Sequence, residues 1–142
     1  MPVEHIVLLD VAENAPPYMR EALERGVRSL VKIKGVQSVS FGETFTTERA
    51  KGFTHAIVVT LDSKEDLAKY AVDALHLKVK KENIAPILNK TSSHGPILAV
   101  DIDETGSRGA GGSADRERTF WKFTAFGALA LAGALIATRN SS

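Results

Sequence analysis

Residues 53–76, FTHAIVVTLDSKEDLAKYAVDALH, join a predicted strand to a predicted helix. The segment FTHAIVVTL is rich in β-branched residues, a composition typical of a buried strand. Ser63 and Asp66 have the spacing of a capping box, so a helix is predicted to begin after Ser63. Its apolar residues recur at helical spacing and predict one buried stripe, formed by Leu67, Tyr70, Ala71, Ala74 and Leu75.

The residues before this segment show the same alternation of strand and helix. Residues 3–11 and 36–45 have strand patterns. Between them, Pro16-Pro17 opens a segment with helical spacing, and Gly35 follows where a helix should end. The first half of the chain therefore predicts strand, helix, strand.

After the second helix, the pattern predicts one more strand. Helical spacing continues to about Leu88, with Pro86 as a late distortion, and residues 97–102 form a fourth apolar strand. The complete order is β-α-β-β-α-β, which predicts an α+β, ferredoxin-like fold with both helices on one face of an antiparallel sheet.

The first strand predicts that the other face of this sheet is also covered. Val7 and Leu9 share one parity of the strand and Ile6 and Leu8 share the other, so both faces are apolar. A strand of this kind is typically buried on both sides. We expect either a second subunit or a ligand cavity against the second face.

Length and composition indicate one folded domain and exclude several kinds of chemistry. The chain has 142 residues, 18 Lys and Arg against 17 Asp and Glu, and no Cys. A net charge of +1 without a basic block argues against nucleic acid as a partner. Without Cys there are no disulfides, thiolate zinc sites or Cys nucleophiles. Gly-rich phosphate loops and zinc patterns are also missing, so no cofactor and no metal site is predicted.

The C-terminal part of the chain has the composition of a tethered membrane anchor. Residues 105–118 are rich in Gly, Ser and charge and predict a flexible linker. Residues 119–138, TFWKFTAFGALALAGALIAT, are long and apolar enough to span a bilayer as one helix, and 139–142 form a short tail. A buried helix of the same domain is the alternative interpretation.

The charges beside this segment predict its orientation. Arg116, Arg118 and Lys122 precede the apolar core and only Arg139 follows it, which favours a cytosolic N-terminal domain under the positive-inside tendency. The N-terminus also lacks a signal-peptide pattern. We therefore predict a single-pass C-terminal anchor in the mitochondrial outer membrane, the peroxisome or the endoplasmic reticulum.

Four segments together resemble the stress-responsive A/B barrel (Dabb) family. They are EHIVLL at residues 4–9, KGFTHAIVVTL at 51–61, EDLAKYAVDALH at 65–76 and ILAVDID at 97–103. The resemblance covers roughly residues 2–103 and implies a domain over residues 1–104. It also implies a homodimer in which two ferredoxin-like sheets pack into a shared α/β barrel with a small apolar cavity, a place for a small hydrophobic ligand.

The resemblance also implies roles for four side chains. One plant branch of the family closes poly-β-keto chains by aldol chemistry, and the residues matching its catalytic pair are Tyr70 and His76. His5 and His55 match further histidines that line its pocket, so they are the candidate ligand-binding residues. A His near neutral pH can take a proton between two carbonyls, and a Tyr can hold the enolate oxygen.

The spacing of the candidate pair requires a break in the helix. Tyr70 and His76 are six residues apart, which places them about 240° around an unbroken helix. Family members commonly have a His-Pro-x-His segment that supplies a break, whereas this chain has Asp73-Ala74-Leu75-His76. The catalytic role of the pair therefore depends on a break that no proline provides.

Three functions agree with the sequence. The first is a membrane-tethered dimer that binds a small hydrophobic ligand, and the second is a cofactor-independent cyclase or lyase acting on a keto compound. The third is an interaction module whose barrel is filled by its own side chains. In that case His5, His55 and Tyr70 are packing residues and His76 lies at the surface or at a helix end.

Overall fold

The computed structural model describes residues 1–103, which form four strands and three α-helices. In chain order they are β1 (Val3–Leu9), α1 (Pro17–Ser29), β2 (Val36–Glu43), β3 (His55–Leu61), α2 (Lys64–Val72), α3 (Ala74–Val79) and β4 (Ile97–Asp103). Short turns extend the helices: 3₁₀ turns at Leu30–Lys32 and Ala85–Ile87 and a π turn at Lys80–Ile84. The predicted order is confirmed, except that the second predicted helix is divided in two.

The strands form one antiparallel sheet in the order β2-β3-β1-β4. This is the ferredoxin-like arrangement, and it confirms the predicted α+β fold. In register, His5 of β1 lies opposite Val59 of β3 on one side and opposite Asp101 of β4 on the other. β3 and β1 are the two inner strands of the sheet, and alternate residues of both are buried.

One face of the sheet and the helices enclose the core. Alternate residues of β1 and β3 point toward the helices and are buried, while their neighbours are partly exposed. Leu23 and Val27 of α1 and Tyr70 of α2 pack on this face. We call it the core face, and its strand residues include Val3, His5, Val7, Leu9, His55, Ile57, Val59, Leu61 and Asp101.

The opposite face of the sheet is not covered by any helix of residues 1–103, and we call it the open face. Its side chains in register are Glu4, Ile6, Leu8, Ser38, Ser40, Ala56, Val58, Thr60, Leu98, Val100 and Ile102, with Gly42 at one edge. On β4, Leu98, Val100 and Ile102 are 42–47% exposed. Large aliphatic side chains side by side at this exposure form a surface suited to a partner.

The helix boundaries follow local signals. Ser63 Oγ accepts the Asp66 backbone N–H at 3.1 Å, which confirms the predicted cap of α2. Gly35 has a φ of +91°, a conformation that favours glycine, and it turns the chain from the first helical segment into β2. Pro86 lies within the second 3₁₀ turn, where the helical segment ends as predicted.

Several predictions concern residues outside the described part of the chain. The linker at 105–118, the membrane helix at 119–138 and the tail at 139–142 all lie there. Within residues 1–103, no helix is both long and apolar enough to cross a membrane.

Candidate functional site

Three of the four predicted site residues meet on the core face of the sheet. The ring centroids of Tyr70 and His76 are 4.3 Å apart, and those of His5 and Tyr70 are 5.8 Å apart in an edge-to-face arrangement. Asp101 joins them through His5. These four residues are only 2–5% exposed, so β1, α2, α3 and β4 together bring three rings and a carboxylate into the core.

His5 and Asp101 form a buried pair across neighbouring strands. His5 Nδ1 lies 2.5 Å from Asp101 Oδ1, and the two residues are direct partners in the β1–β4 register. When Nδ1–H donates to the carboxylate, the ring is held in one orientation and its other nitrogen, Nε2, remains a proton acceptor. This Asp–His arrangement is the one that orients histidine bases in many enzymes.

Tyr70 is the most buried ring of the cluster. Burial raises the pKa of its hydroxyl, and the charges of Asp101 and Asp73 raise it further. The phenol therefore keeps its proton throughout the physiological range and can act as a hydrogen-bond donor. A buried donor of this kind is suited to polarising a carbonyl oxygen.

His76 is held as a neutral ring. Burial, with smaller contributions from Lys80 and His5, lowers its pKa to about 4 against the opposing effects of the Ala71 carbonyl and Asp73. Its Nδ1 lies 3.2 Å from the Ala71 carbonyl oxygen, which accepts the Nδ1–H. Nε2 is then unprotonated at neutral pH. The structure buries His76, so the interpretation of this residue as a surface histidine is wrong.

The helix break that this arrangement requires is present. Helix α2 ends at Val72 and α3 begins at Ala74, with Asp73 between them in an extended conformation. The absence of a proline therefore does not prevent the break.

His55 lies at the other end of the sheet from this cluster. It is opposite Leu9 in the β1–β3 register, four residues from the partner of His5, which is roughly 13 Å along the strands. Its ring stacks on Phe41, its Nδ1 is 2.8 Å from the Thr54 hydroxyl, and burial lowers its pKa. The structure does not bring His55 together with the other three rings.

Asp101 is the fourth member of this buried cluster, and the sequence predicts no role for it. Its parity is the signal that could have found it: Asp101 alternates with Ala99 and Ile97, which pack against the core, whereas Leu98 and Val100 face outward. A carboxylate on the core side of a strand requires a buried partner. That partner is His5, which lies directly opposite Asp101 in the β1–β4 register.

Two surface grooves of the described chain lie apart from this cluster. One groove of about 300 Å³ lies between α1 and α3, with Arg25, Leu75 and Asn83 in its wall, and Tyr70 and His76 do not line it. Among residues 1–103, no three His, Asp or Glu side chains are grouped so that they could hold a metal ion.

Comparison with solved structures places the fold among ferredoxin-like proteins. A hydroxynitrile lyase from Passiflora edulis superimposes with a TM-score of 0.60 at 24% identity, covering 74% of this chain and 96% of the lyase. A protein from Thermobifida fusca, described as dimeric, ferredoxin-like and of unknown function, superimposes with a TM-score of 0.58 at 22% identity, covering 72% and 90% of the two chains. At this level of identity, the similarity concerns the fold.

Comparison of sequences identifies the family. A stress-response A/B barrel domain-containing protein of Arabidopsis thaliana is 31% identical over 99 residues, which is 70% of this chain and 35% of that relative. The chain thus matches about a third of the length of the relative. The model of the Stress responsive A/B Barrel Domain matches residues 3–102. Because that match spans the strands, the helices and the buried cluster, this chain belongs to the stress-responsive A/B barrel (Dabb) family.

Proposed function

We propose that this protein is a membrane-tethered homodimer that binds a small hydrophobic ligand against Tyr70, His76 and His5. The observation that carries the proposal is the convergence of three polar rings and one carboxylate within a core made mostly of apolar side chains. Burying such groups is costly, and buried titratable clusters are found preferentially at functional sites. A ligand carbonyl would find the Tyr70 hydroxyl as a donor beside the His5 and His76 rings.

The open face supports the homodimer. It combines exposed aliphatic side chains on β4 with Ile6, Leu8 and Val58 on the central strands, a pattern that a second copy can cover. The Thermobifida fusca protein of similar fold is described as dimeric. Two sheets packed through these faces would bury both sides of β1, which its sequence pattern predicts.

A small-ligand site predicts saturable binding of carbonyl compounds that depends on Tyr70. We expect at least one member of a panel of fluorinated aryl and alkyl ketones to bind the full-length chain with one site per subunit, observed by fluorine NMR titration. Tyr70→Phe should weaken that binding about tenfold, because one hydrogen bond is lost. Tyr18→Phe is the matched control, since Tyr18 is 69% exposed on α1. Absence of saturable binding across the panel would contradict the proposal.

A cyclase or lyase acting on a keto compound is the second candidate. The His5–Asp101 pair favours it, because an oriented imidazole can take a proton while the Tyr70 hydroxyl stabilises the developing oxyanion. A hydroxynitrile lyase has a similar fold. Turnover of a ketone or cyanohydrin by the wild-type chain, abolished in Tyr70→Phe, would favour the enzyme. If no compound binds, the buried cluster belongs to an interaction module with a filled barrel.

The composition of residues 119–138 supports the membrane tether. We expect the full-length chain to resist carbonate extraction from membranes and a chain lacking residues 119–142 to be found in the soluble fraction. Deleting only residues 105–118 is the control and should leave the chain in the membrane. If the chain lacking residues 119–142 stays on membranes after carbonate treatment, another part of the protein binds the membrane.

A further inference from the structure

We propose that Asp73 is a positioning residue that places the His76 ring against Tyr70 by ending one helix and starting the next. The inference rests on the proposed function only in that these two rings are the proposed ligand site. The chain bends at residue 73, although no proline lies in this part of the sequence.

Asp73 interrupts the helix through its backbone. Its φ and ψ are −64° and 138°, an extended conformation between two helical segments. Its N–H donates to the Tyr70 carbonyl at 3.1 Å, and its own carbonyl accepts the Leu77 N–H at 3.0 Å. One residue thus closes the last turn of α2 and opens the first turn of α3.

The Asp73 side chain stabilises this break. Oδ1 accepts the Leu75 N–H at 2.8 Å, the hydrogen bond of an N-cap residue. In a continuous helix that same N–H would donate to the carbonyl four residues earlier, which belongs to Ala71. The cap therefore competes directly with helix continuation.

Releasing the Ala71 carbonyl has a second consequence. With the Leu75 N–H held by Asp73, the Ala71 carbonyl is available to the His76 Nδ1–H, at 3.2 Å. That bond fixes the tautomer of His76 and turns its ring toward Tyr70, at 4.3 Å between centroids and 34° between planes. A continuous helix would place the two residues about 240° apart around its axis. Asp73 thus determines both the position and the protonated nitrogen of His76.

The test separates the cap of Asp73 from its charge. Asp73→Asn keeps a capping oxygen and removes the charge, whereas Asp73→Glu keeps the charge but places its carboxylate one methylene farther away. Asp73→Ala removes both. Asp62→Ala is the control, because Asp62 accepts a hydrogen bond from Gln37 at a different site.

The measurement is NMR of the full-length chain in nonionic micelles with labelled His and Tyr. With four His in the sequence, each ring signal can be assigned by single substitutions. In Asp73→Ala and Asp73→Glu, we expect the Tyr70–His76 ring NOE to weaken, because a continuous helix turns the His76 ring out of the core. The His76 titration midpoint should then rise by about one pH unit or more, because the ring loses the burial that is the largest cause of its lowered pKa and that outweighs the effects of Asp73 and the Ala71 carbonyl. Asp73→Asn and Asp62→Ala should keep the NOE.

Two results would overturn the proposal. One is an unchanged NOE and midpoint in Asp73→Glu and Asp73→Ala. The other is loss of the NOE in Asp73→Asn while Asp73→Glu keeps it, which would assign the effect to the charge of residue 73 and not to its cap. Dispersed His5 and His55 signals report that each variant is folded. The readout needs no ligand, so the role of Asp73 and the ligand-binding proposal can fail independently.

Discussion

Substitution Val100→Asp is expected to convert the proposed dimer into monomers. Val100 lies opposite Ile6 in the β1–β4 register, within the aliphatic part of the open face. In a symmetric dimer each copy contributes one new carboxylate to an interface made of aliphatic side chains. Desolvating these charges costs about 3 kcal/mol or more, which raises the dissociation constant more than about a hundredfold.

Sedimentation velocity over a range of concentrations measures this effect. It should be done on the full-length chain in micelles and on a chain lacking residues 119–142, so that pairing of the proposed anchor is separated from pairing of the domain. Val72→Asp is the matched control, because Val72 is 63% exposed on α2, away from the open face. A Val100→Asp protein that remains as dimeric as Val72→Asp would place the interface on another surface.

Acidification is expected to destabilise the fold through His76. The folded state holds its pKa near 4, whereas in the unfolded chain the ring titrates near 6.5. Between pH 6.5 and 4 the His76 ring is protonated in the unfolded state but remains neutral in the folded state. The free energy of unfolding therefore falls as the pH decreases through this range. The stability that the neutral ring confers above pH 6.5 is lost progressively down to pH 4, and it totals about 3 kcal/mol.

Urea unfolding at several pH values between about 7 and 4.5, at one protein concentration, measures this loss. Keeping the concentration fixed matters because a dimer's apparent stability depends on it. His76→Gln retains an N–H donor for the Ala71 carbonyl but does not titrate, so its stability should fall less steeply with acid. His94→Gln, a change in an exposed turn, is the control. Parallel pH profiles for wild type and His76→Gln would contradict the assignment.

Much of the fold could be predicted because its signals are local. The β-branched segment before Leu61 and the capping box at Ser63 and Asp66 depend on neighbours in the chain, and both appear in the structure as predicted. The apolar residues at both parities of β1 also predicted that both faces of the sheet are apolar. The division of the second helix was harder, because Asp73 acts as a cap only if the chain actually bends there.

The resemblance to the family contributed the choice of candidate site residues, and their roles stay predictions. Tyr70, His76 and His5 do meet, but His55 lies roughly 13 Å from the cluster along the strands because the antiparallel register places it opposite Leu9. Spacing along a strand cannot show which residue of another strand lies opposite. Asp101 was missed for the same reason, since its partner is 96 residues away in the chain.

Local patterns in the chain were sufficient for the strands, the helices and their order, because periodicity, caps and turn residues act over a few positions. Contacts between distant segments were needed to show which polar groups share the core, since they fix the strand register and the bend at Asp73. The same contacts set the chemistry of those groups. Burial keeps the Tyr70 hydroxyl protonated and the His76 ring neutral, and burial is a property of the folded chain as a whole.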